Sequence, residues 1–180
     1  MSKRIFLIVL LLALAALACR CNVSLPPAKT PSPDVTDTIS VNAPDGDARL
    51  TLSFGAGKLM LAAGADGKLV DGTATYNIPD FKPEIVEDGL NVEVKQGDYK
   101  VNGLPDMRGV KNEWELKLGD MPMDLTIHAG AYDGNLDLGG LALTGLAVND
   151  GAADVKIDFS APNKEKLGVL SYKTGASNVT

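Results

Sequence analysis

The sequence contains few cysteines, histidines and aromatic residues, and each scarcity excludes a class of site. Its two cysteines, Cys19 and Cys21, both lie near the amino terminus, so the rest of the chain has neither a disulfide nor a cysteine-ligated metal. His128 is the single histidine, which leaves little support for a Ser-His or Cys-His nucleophile. Aromatic residues make up 5% of the chain, which is few for a surface that binds sugars by stacking. The sequence therefore predicts a non-enzymatic domain without a cofactor, held together by its core alone.

Long stretches with apolar residues at helical spacing are also lacking. Alternation of apolar with polar residues is frequent instead, for example in Leu90/Val92/Val94 and in Trp114/Leu116/Leu118. Many of the 19 glycines follow Asp or Asn and separate these alternating runs. The pattern predicts an all-β domain. Within it, the single tryptophan, Trp114, is expected to be buried, and His128, out of phase with Leu125 and Ile127, is expected to face solvent.

The first 18 residues have the features of a secretory signal peptide. A short basic start, Lys3-Arg4, precedes an apolar run of 14 residues from Ile5 to Ala18. That run is shorter than the roughly 20 residues of a membrane-spanning helix, and it ends in the small residues favoured at cleavage sites. The segment is therefore left out of the fold, and the protein is expected to be exported.

Cys19 occupies the position of the lipidated cysteine in bacterial lipoproteins. The preceding residues 14–18 resemble a lipobox, although Ala16 stands where Leu is usual. We therefore expect Cys19 to be lipidated and the protein to be attached to the membrane through this lipid anchor. Two alternatives remain open, which are cleavage after Ala18 without lipidation and an uncleaved anchor.

The composition divides the rest of the chain into a linker and one domain. Residues 19–38 hold the cysteine and a Pro-rich stretch that cannot bury enough apolar area to order itself. Residues 39–180 remain for a single domain, enough for one core. The net charge of −6 argues against nucleic acid as a partner.

Four stretches of the domain share one pattern, in which alternating apolar residues precede Gly-Ala, a polar turn and a second alternation. They start at Leu50, Leu125, Leu146 and Leu170, and the last three are spaced 21 and 24 residues apart. Such spacing indicates a stacked β architecture. We predict a right-handed β-solenoid-like stack of short strands, with each Gly-Ala at a corner where glycine permits positive φ and Ala permits close approach.

Residues 62–124 interrupt this repeat. Asp88-Gly89 between two alternating runs predicts a hairpin, and Asn102-Gly103 predicts a further turn. We expect an antiparallel region here that covers the amino-terminal end of the stack. At the other end, the chain stops within the fourth repeat, and we expect the natural domain to continue beyond Thr180.

Three segments resemble the toast-rack domain family of bacterial exported proteins. They are YNIPDFKP at 76–83, NEWEL at 112–116 and LDLGGLALTGL at 136–146. The resemblance runs from about Ile39 to the end, and the family is similar to envelope-stress regulators of the LiaF type and to adhesin-like domains. It implies rows of short stacked strands and a cell-surface address. It implies no catalytic or binding residue, because the family's function is unknown.

Two pairs of carboxylates occupy equivalent repeat positions, Asp133 with Asp154 and Asp137 with Asp158. On stacked strands each pair lies on the order of 5 Å apart. Three interpretations are open: a solvated outer face, a Ca²⁺ site, or paired carboxylates for glycoside chemistry. The leading hypothesis is a surface binding or scaffold module, adhesin-like or regulatory in envelope stress, with an envelope protein or glycan as its partner. The alternative is a carbohydrate-active enzyme that uses the paired aspartates.

Overall fold

The computed structural model describes residues 31–97 and 109–180, and these residues form one sheet of ten strands. The only helical element in this part of the chain is a 3-10 turn at Pro79–Phe81. None of its helices is long and apolar enough to cross a membrane. The strands are β1 Val35–Asn42, β2 Ala48–Ala63, β3 Lys68–Tyr76, β4 Pro83–Asp88, β5 Asn91–Gln96, β6 Asn112–Leu118, β7 Met123–Asp137, β8 Leu143–Asp158, β9 Val169–Thr174 and β10 Asn178–Val179.

Three long strands form the centre of the stack in the order β2, β7, β8, and all three run parallel. The register is the one that the repeat predicts, with Leu50 opposite Leu125 and Leu125 opposite Leu146. The fourth repeat supplies β9 and β10, which pair in parallel with the two halves of β8. The structure is thus the all-β, solenoid-like stack expected from the sequence.

Each long strand has two halves that face one core, because the phase of its buried residues changes in the middle. In β7, Leu125 and Ile127 are buried before the change, and Tyr132 and Leu136 are buried after it. Strict alternation would place the second pair on the opposite face. The extra residue falls at Gly130-Ala131, so this dipeptide marks the corner between two arms.

We name the halves by their position relative to this corner. The first arm comprises Ala48–Phe54, Met123–Ala129 and Leu143–Asp150, with β4, β5 and β9 at its ends. The second arm comprises Ala56–Ala63, Ala131–Asp137 and Ala152–Asp158, with β1, β3, β6 and β10. Residues at equivalent positions of successive strands form rows across each arm.

The corner glycines lie one over another, as the repeat predicts, but the reason for glycine differs from the expected one. A Cβ on Gly130 would lie 2.2 Å from the Gly55 carbonyl oxygen, and one on Gly151 would lie 2.9 Å from that of Gly130. A Cβ on Gly175 would lie 2.6 Å from the Gly151 oxygen. None of these four glycines has positive φ, so the expectation of positive φ was wrong. Close backbone approach is what requires glycine at the corner.

In the first three repeats the polar residues after Gly-Ala do not form a turn, which corrects a second expectation, whereas in the fourth the strand is interrupted between Thr174 and Asn178. Strand β7 continues from Met123 to Asp137 without a break, and β8 continues from Leu143 to Asp158. A change of phase is sufficient to redirect the chain while its backbone remains paired with both neighbours. The chain turns later, for instance at Gly140, where φ is +73°.

The interrupting segment covers the amino-terminal end of the stack. Strands β5 and β6 pair in parallel with the first and second halves of β2. Antiparallel pairs then extend the sheet, with β4 on β5, β3 on β6 and β1 on β3. The region therefore contains the expected antiparallel hairpin, but the strands that contact β2 are parallel to it. The Asn102-Gly103 turn lies outside the described residues.

Trp114 of β6 is fully buried in this covered end, as expected. Its ring contacts Phe54 edge-on, with 5.1 Å between ring centroids, and Tyr132 contacts Phe54 in the same manner at 6.3 Å. The three rings are all buried and pack together in the core. The first strand begins at Val35, before Ile39, where the sequence places the start of the domain.

Candidate functional site

The outer face of the second arm is the broadest aligned surface in the described part of the chain. Seven strands contribute to it, in the order β1, β3, β6, β2, β7, β8, β10. Because strand residues alternate between faces, its outward side chains form rows perpendicular to the strands. One such row contains Glu115, Met60, Asn135 and Lys156. Main-chain ladders fix the spacing of these groups, so the surface is a rigid array of side chains.

The first carboxylate pair lies in a neighbouring row of this face. Asp133 and Asp154 are opposite each other on β7 and β8, as the repeat predicts. The row continues with Lys58 beside Asp133 and Asn178 beside Asp154. The Asn178 amide donates to Asp154 at 3.3 Å, and Lys58 forms an ion pair with Glu113 at 3.4 Å. Polar neighbours therefore flank the two carboxylates on both sides.

The second carboxylate pair, Asp137 and Asp158, is also in register. However, Asp137 accepts hydrogen bonds from the Ser160 hydroxyl at 2.7 and 2.8 Å and from the Gly139 amide at 3.0 Å. These hydrogen bonds, the one from the Ser160 side chain foremost, hold the pKa of Asp137 below its ordinary value. Asp137 thus fastens the loop after β8 to the end of β7.

The described residues contain no group of three or more His, Cys, Asp and Glu side chains placed to hold a metal ion. The carboxylates considered for Ca²⁺ therefore lie only two by two, Asp133 beside Asp154 and Asp137 beside Asp158. His128 lies on the outer face of the first arm and is exposed, as expected. Cys19, the candidate lipidation site, lies outside the described residues.

A groove of about 490 Å³ crosses the outer face of the second arm. Met60 and Ala62 of β2 lie among its lining residues, and Met60 is 37% exposed. Charged and polar groups surround them on both sides: Asp71, Thr73, Glu115 and Lys117 from β3 and β6, and Asn135 and Asp137 from β7. An apolar patch that is surrounded by acidic, basic and neutral polar groups is suited to binding an extended ligand or a protein segment.

Gly72 lies beneath the groove, in the inward row of Leu61 and Leu116. A Cβ at this position would lie 2.1 Å from the Glu115 carbonyl oxygen, so only glycine permits β3 and β6 to approach so closely. The sequence did not indicate this groove, because its lining residues come from four strands with no common motif. Only the exposed Met60 in an otherwise polar outward series hints at it.

A second polar cluster lies inside the core and was also missed by the sequence analysis. Asp150 of β8 is 9% exposed and faces inward in the same row as Phe54 and Ala129. It accepts hydrogen bonds from the Tyr172 hydroxyl and, at 2.9 Å, from the Ser177 hydroxyl. Asp150 thus joins the third repeat to the fourth. A charged residue at an apolar repeat position was the available signal.

The charge state of this cluster follows from its surroundings. Burial raises the pKa of Asp150, but hydrogen bonds from Thr174, Tyr172 and Ser177 outweigh it and hold the pKa below the ordinary value. Burial and, to a smaller extent, the Asp150 carboxylate together raise the pKa of Tyr132 to about 12. Burial and the hydrogen bond to Asp150 raise the pKa of Tyr172. At neutral pH the cluster is therefore one carboxylate with neutral hydroxyl donors.

These features define a class of protein, namely an all-β domain of parallel, corner-forming strands with aligned outer faces. Residues 30–180 match the family model described as the N-terminal domain of toast_rack, DUF2154. The chain belongs to this family, which confirms the resemblance seen in its sequence. No curated protein matches it.

Among solved structures, a candidate cell adhesion protein from Clostridium sporogenes has a similar fold. The TM-score is 0.65 at 18% identity, with 81% of this chain and 97% of that chain covered. A candidate adhesin from Bacteroides fragilis matches at a TM-score of 0.31 and 12% identity, over 85% of this chain and 97% of that one. The first likeness shows the shared fold, and the second is too weak to support an argument.

Proposed function

We propose that this protein is a non-enzymatic, exported surface module that binds a partner through the groove on the outer face of its second arm. The observation that carries the proposal is the rigid alignment of this face, in which ladders from four strands position an apolar patch between charged groups. Rigid scaffolds of this kind lose little conformational entropy on binding. The structural likeness to a candidate cell adhesion protein supports the same direction.

The expected partner is an envelope protein or a glycan. The groove offers carboxylate and amide acceptors, the Lys117 ammonium as a donor and the exposed Met60 side chain. This combination suits a polar chain that has an apolar face, as many sugars and extended peptides do. Adhesive and regulatory roles both require such a surface, and the identity of the captured partner distinguishes between them.

The test blocks the groove without disturbing the core. Asn135 and Lys156 lie in the same outward row, are both exposed, and are adjacent on β7 and β8, but only Asn135 lines the groove. Asn135→Trp should abolish capture of glycans from a panel and of cross-linked envelope proteins, whereas Lys156→Trp should leave capture intact. Equal binding by both variants would place the contact surface elsewhere.

The same glycan panel tests the enzymatic alternative. If the domain is a binding module, polysaccharides are recovered unchanged after incubation. Turnover that disappears in Asp154→Asn would overturn the non-enzymatic proposal, because Asp154 adjoins Asp133 on the outer face and paired carboxylates are the groups that glycoside hydrolysis uses.

We further propose that Cys19 carries a lipid that holds the module at the cell membrane. The support is the apolar leader followed by a small-residue segment before the cysteine. Mass spectrometry of the membrane fraction should find an acylated amino-terminal Cys19, and Cys19→Ser should release the protein into the medium. If the wild-type protein is found in the medium, mature and without a lipid, the proposed anchor is wrong.

A further inference from the structure

Strand β4 forms an edge of the first arm at the amino-terminal end of the stack. Among residues 31–97 and 109–180 it pairs only with β5. Strand β1 lies close to β4 without pairing with it, and five of the six residues of β4 are exposed. An edge strand presents unpaired N–H and C=O groups to any strand that approaches.

The phase of the β4–β5 ladder shows which backbone groups are free. Hydrogen-bonded and non-hydrogen-bonded pairs alternate along antiparallel strands. The Gly97 N–H donates to the Lys82 carbonyl oxygen at 3.0 Å just beyond the strand ends, so every second residue of β4, beginning with Glu84, faces β5. The N–H and C=O groups of Ile85 and Glu87 therefore point to the free side, where they have no hydrogen-bond partner in the described part of the chain.

The exposed side chains of β4 are apolar in the middle and acidic towards both ends. Ile85 is 39% exposed and Val86 is 48% exposed. Three carboxylates flank them, and the strand has no basic residue. Glu84 forms an ion pair with a lysine of β5 at 3.2 Å. The carboxylates of Glu87 and Asp88 have no hydrogen-bond or ion-pair partner within 31–97 and 109–180, so two negative charges at this edge are uncompensated.

A groove of about 340 Å³ on the outer face of the first arm begins at the same edge. Val86 and Asp88 of β4 line it, together with Glu93 of β5 and Asp124 of β7. Arg49 of β2 is the one basic residue among its described lining residues, and its guanidinium donates to an asparagine of β5 at 3.3 Å. Because three carboxylates face one guanidinium, the groove favours a cationic group at its mouth.

We propose that the β4 edge binds an extended basic segment of a partner protein, which adds one strand to the first arm. In strand addition, main-chain hydrogen bonds supply affinity and alternate side chains supply specificity. The apolar pair of β4 and the uncompensated carboxylates beside it fit a segment with two apolar residues between lysines or arginines. This surface lies on the other arm from the groove around Met60, so the inference does not depend on the function proposed above.

The free backbone groups and the charges together define one antiparallel arrangement. The partner residues opposite Ile85 and Glu87 exchange hydrogen bonds with β4, and the residue opposite Asp88 places its side chain at the mouth of the groove. Opposite charges across a strand pair are stabilising. The matching pattern is Lys-Lys-Val-Val-Lys, whose residues lie in this order opposite Asp88, Glu87, Val86, Ile85 and Glu84. Two β4 edges would instead bring carboxylates onto carboxylates, so charge disfavours a second copy as the occupant.

The test titrates the isotopically labelled full protein with a capped Lys-Lys-Val-Val-Lys peptide and follows the backbone amides by NMR. The largest shifts should fall on the amides of Ile85 and Glu87, because these donate to the added strand. Glu87→Lys should weaken binding about tenfold or more, since it sets like charges opposite each other and places lysine on the edge. Circular dichroism checks that the variants are folded.

Two variants are matched controls. Asp158→Lys makes the same change of charge at an exposed carboxylate of the second arm, and it should bind the peptide like the wild type. Asn135→Trp fills the groove of the second arm and should also leave peptide binding unchanged. Failure of the function proposed for that groove is thereby distinguished from failure at the β4 edge.

N-methylated peptides, measured on the wild-type protein, separate strand addition from attraction between charges. Methylation of the two amides opposite Ile85 and Glu87 removes the donors that the edge requires and should abolish the shifts. Methylation of the amides opposite Val86 and Glu84, which point away from β4, should leave binding intact.

Three results would overturn the proposal. Equal binding of the two methylated peptides would show that charge alone attracts them. Equal weakening by Glu87→Lys and Asp158→Lys would place the contact elsewhere. A wild-type protein that binds no peptide at any concentration would mean that another copy or another segment of the chain occupies the edge.

Discussion

The two ends of the stack differ in how far they bury the apolar rows that run through both. At the amino-terminal end, β5 and β6 cover β2, and Leu50, Leu59 and Trp114 are fully buried. At the other end, β9 and β10 cover β8, and Leu170 and Val179 are 59% and 42% exposed. Both ends belong to one repeat pattern, but further described strands pair with β5 and β6 and none pairs with the other edges of β9 and β10.

The row that contains Leu50, Leu125, Leu146 and Leu170 shows this gradient within one side-chain type. The first two are fully buried, Leu146 is 3% exposed, and Leu170 is 59% exposed. Burial of a leucine stabilises a fold by about 1.5–3 kcal/mol, so the covered end carries most of the hydrophobic free energy. At the open end, side-chain hydrogen bonds to Asp150 supplement the ladder.

The largest effect is expected at the covered end. Trp114→Ala removes the ring that packs edge-on against Phe54, and truncation of a buried tryptophan costs about 3–5 kcal/mol of unfolding free energy. Urea unfolding followed by circular dichroism measures the loss, with Trp114→Phe as the control that keeps an aromatic ring. A loss below about 1 kcal/mol would mean that this end does not anchor the fold.

The second effect separates the two ends at the corner itself. Gly130→Ala places a Cβ 2.2 Å from the Gly55 carbonyl oxygen, between two strands that neighbours hold on both sides. Overpacking there should cost about 3 kcal/mol. Gly175→Ala has a comparable clash of 2.6 Å with Gly151, but among the described residues the last repeat pairs on one side alone, with β8, so it can move away. Thermal unfolding should rank Gly130→Ala well below Gly175→Ala, and the reverse ranking would contradict a rigid centre.

The glycine column also shows how far the sequence leads. The spacing of Gly130, Gly151 and Gly175 predicts the stack and its register, because a fixed period places equivalent residues side by side. It does not show why glycine is needed, since a positive φ and a close backbone approach demand the same residue. The backbone of the folded protein distinguishes these two causes, and it shows that close approach is the reason for glycine.

The candidate site was less accessible to sequence reasoning. The pairing of Asp133 with Asp154 follows from the repeat and is present. The groove around Met60 is absent from any periodic pattern, because β3 and β6 come from the segment that interrupts the repeat. Strand order in that segment depends on non-local pairing, and a single sequence does not encode it in a local pattern.

The third effect concerns the polar latch between the third and fourth repeats, which is the cluster of Asp150, Tyr172 and Ser177. Asp150→Asn removes the charge that accepts hydrogen bonds from Tyr172 and Ser177, and the loss should be about 2 kcal/mol. Amide hydrogen exchange should accelerate in Val169–Thr174 while exchange in the covered end stays unchanged. Uniform acceleration along the chain would show instead that the repeats unfold as one unit.

The latch also has a defined pH dependence. The folded pKa of Asp150 lies below its ordinary value, so its contribution to stability is fully present above the unfolded pKa of about 3.9. It is lost as pH falls through the folded pKa. The difference in unfolding free energy between the wild type and Asp150→Asn should therefore be constant from pH 7 to about pH 5 and shrink below about pH 4. A difference that persists at lower pH would exclude the carboxylate as its cause.

The smallest effect is expected at the exposed end of the leucine row. Leu170→Ala removes a side chain that is 59% exposed, so the unfolding free energy should change by no more than about 0.5 kcal/mol. The reference is Leu125→Ala in the same row, whose side chain is fully buried and whose loss should cost about 2–5 kcal/mol. Both losses are measured by urea unfolding followed by circular dichroism. If Leu170→Ala costs as much as Leu125→Ala, another part of the molecule must cover β9, and the contrast between the two ends would disappear.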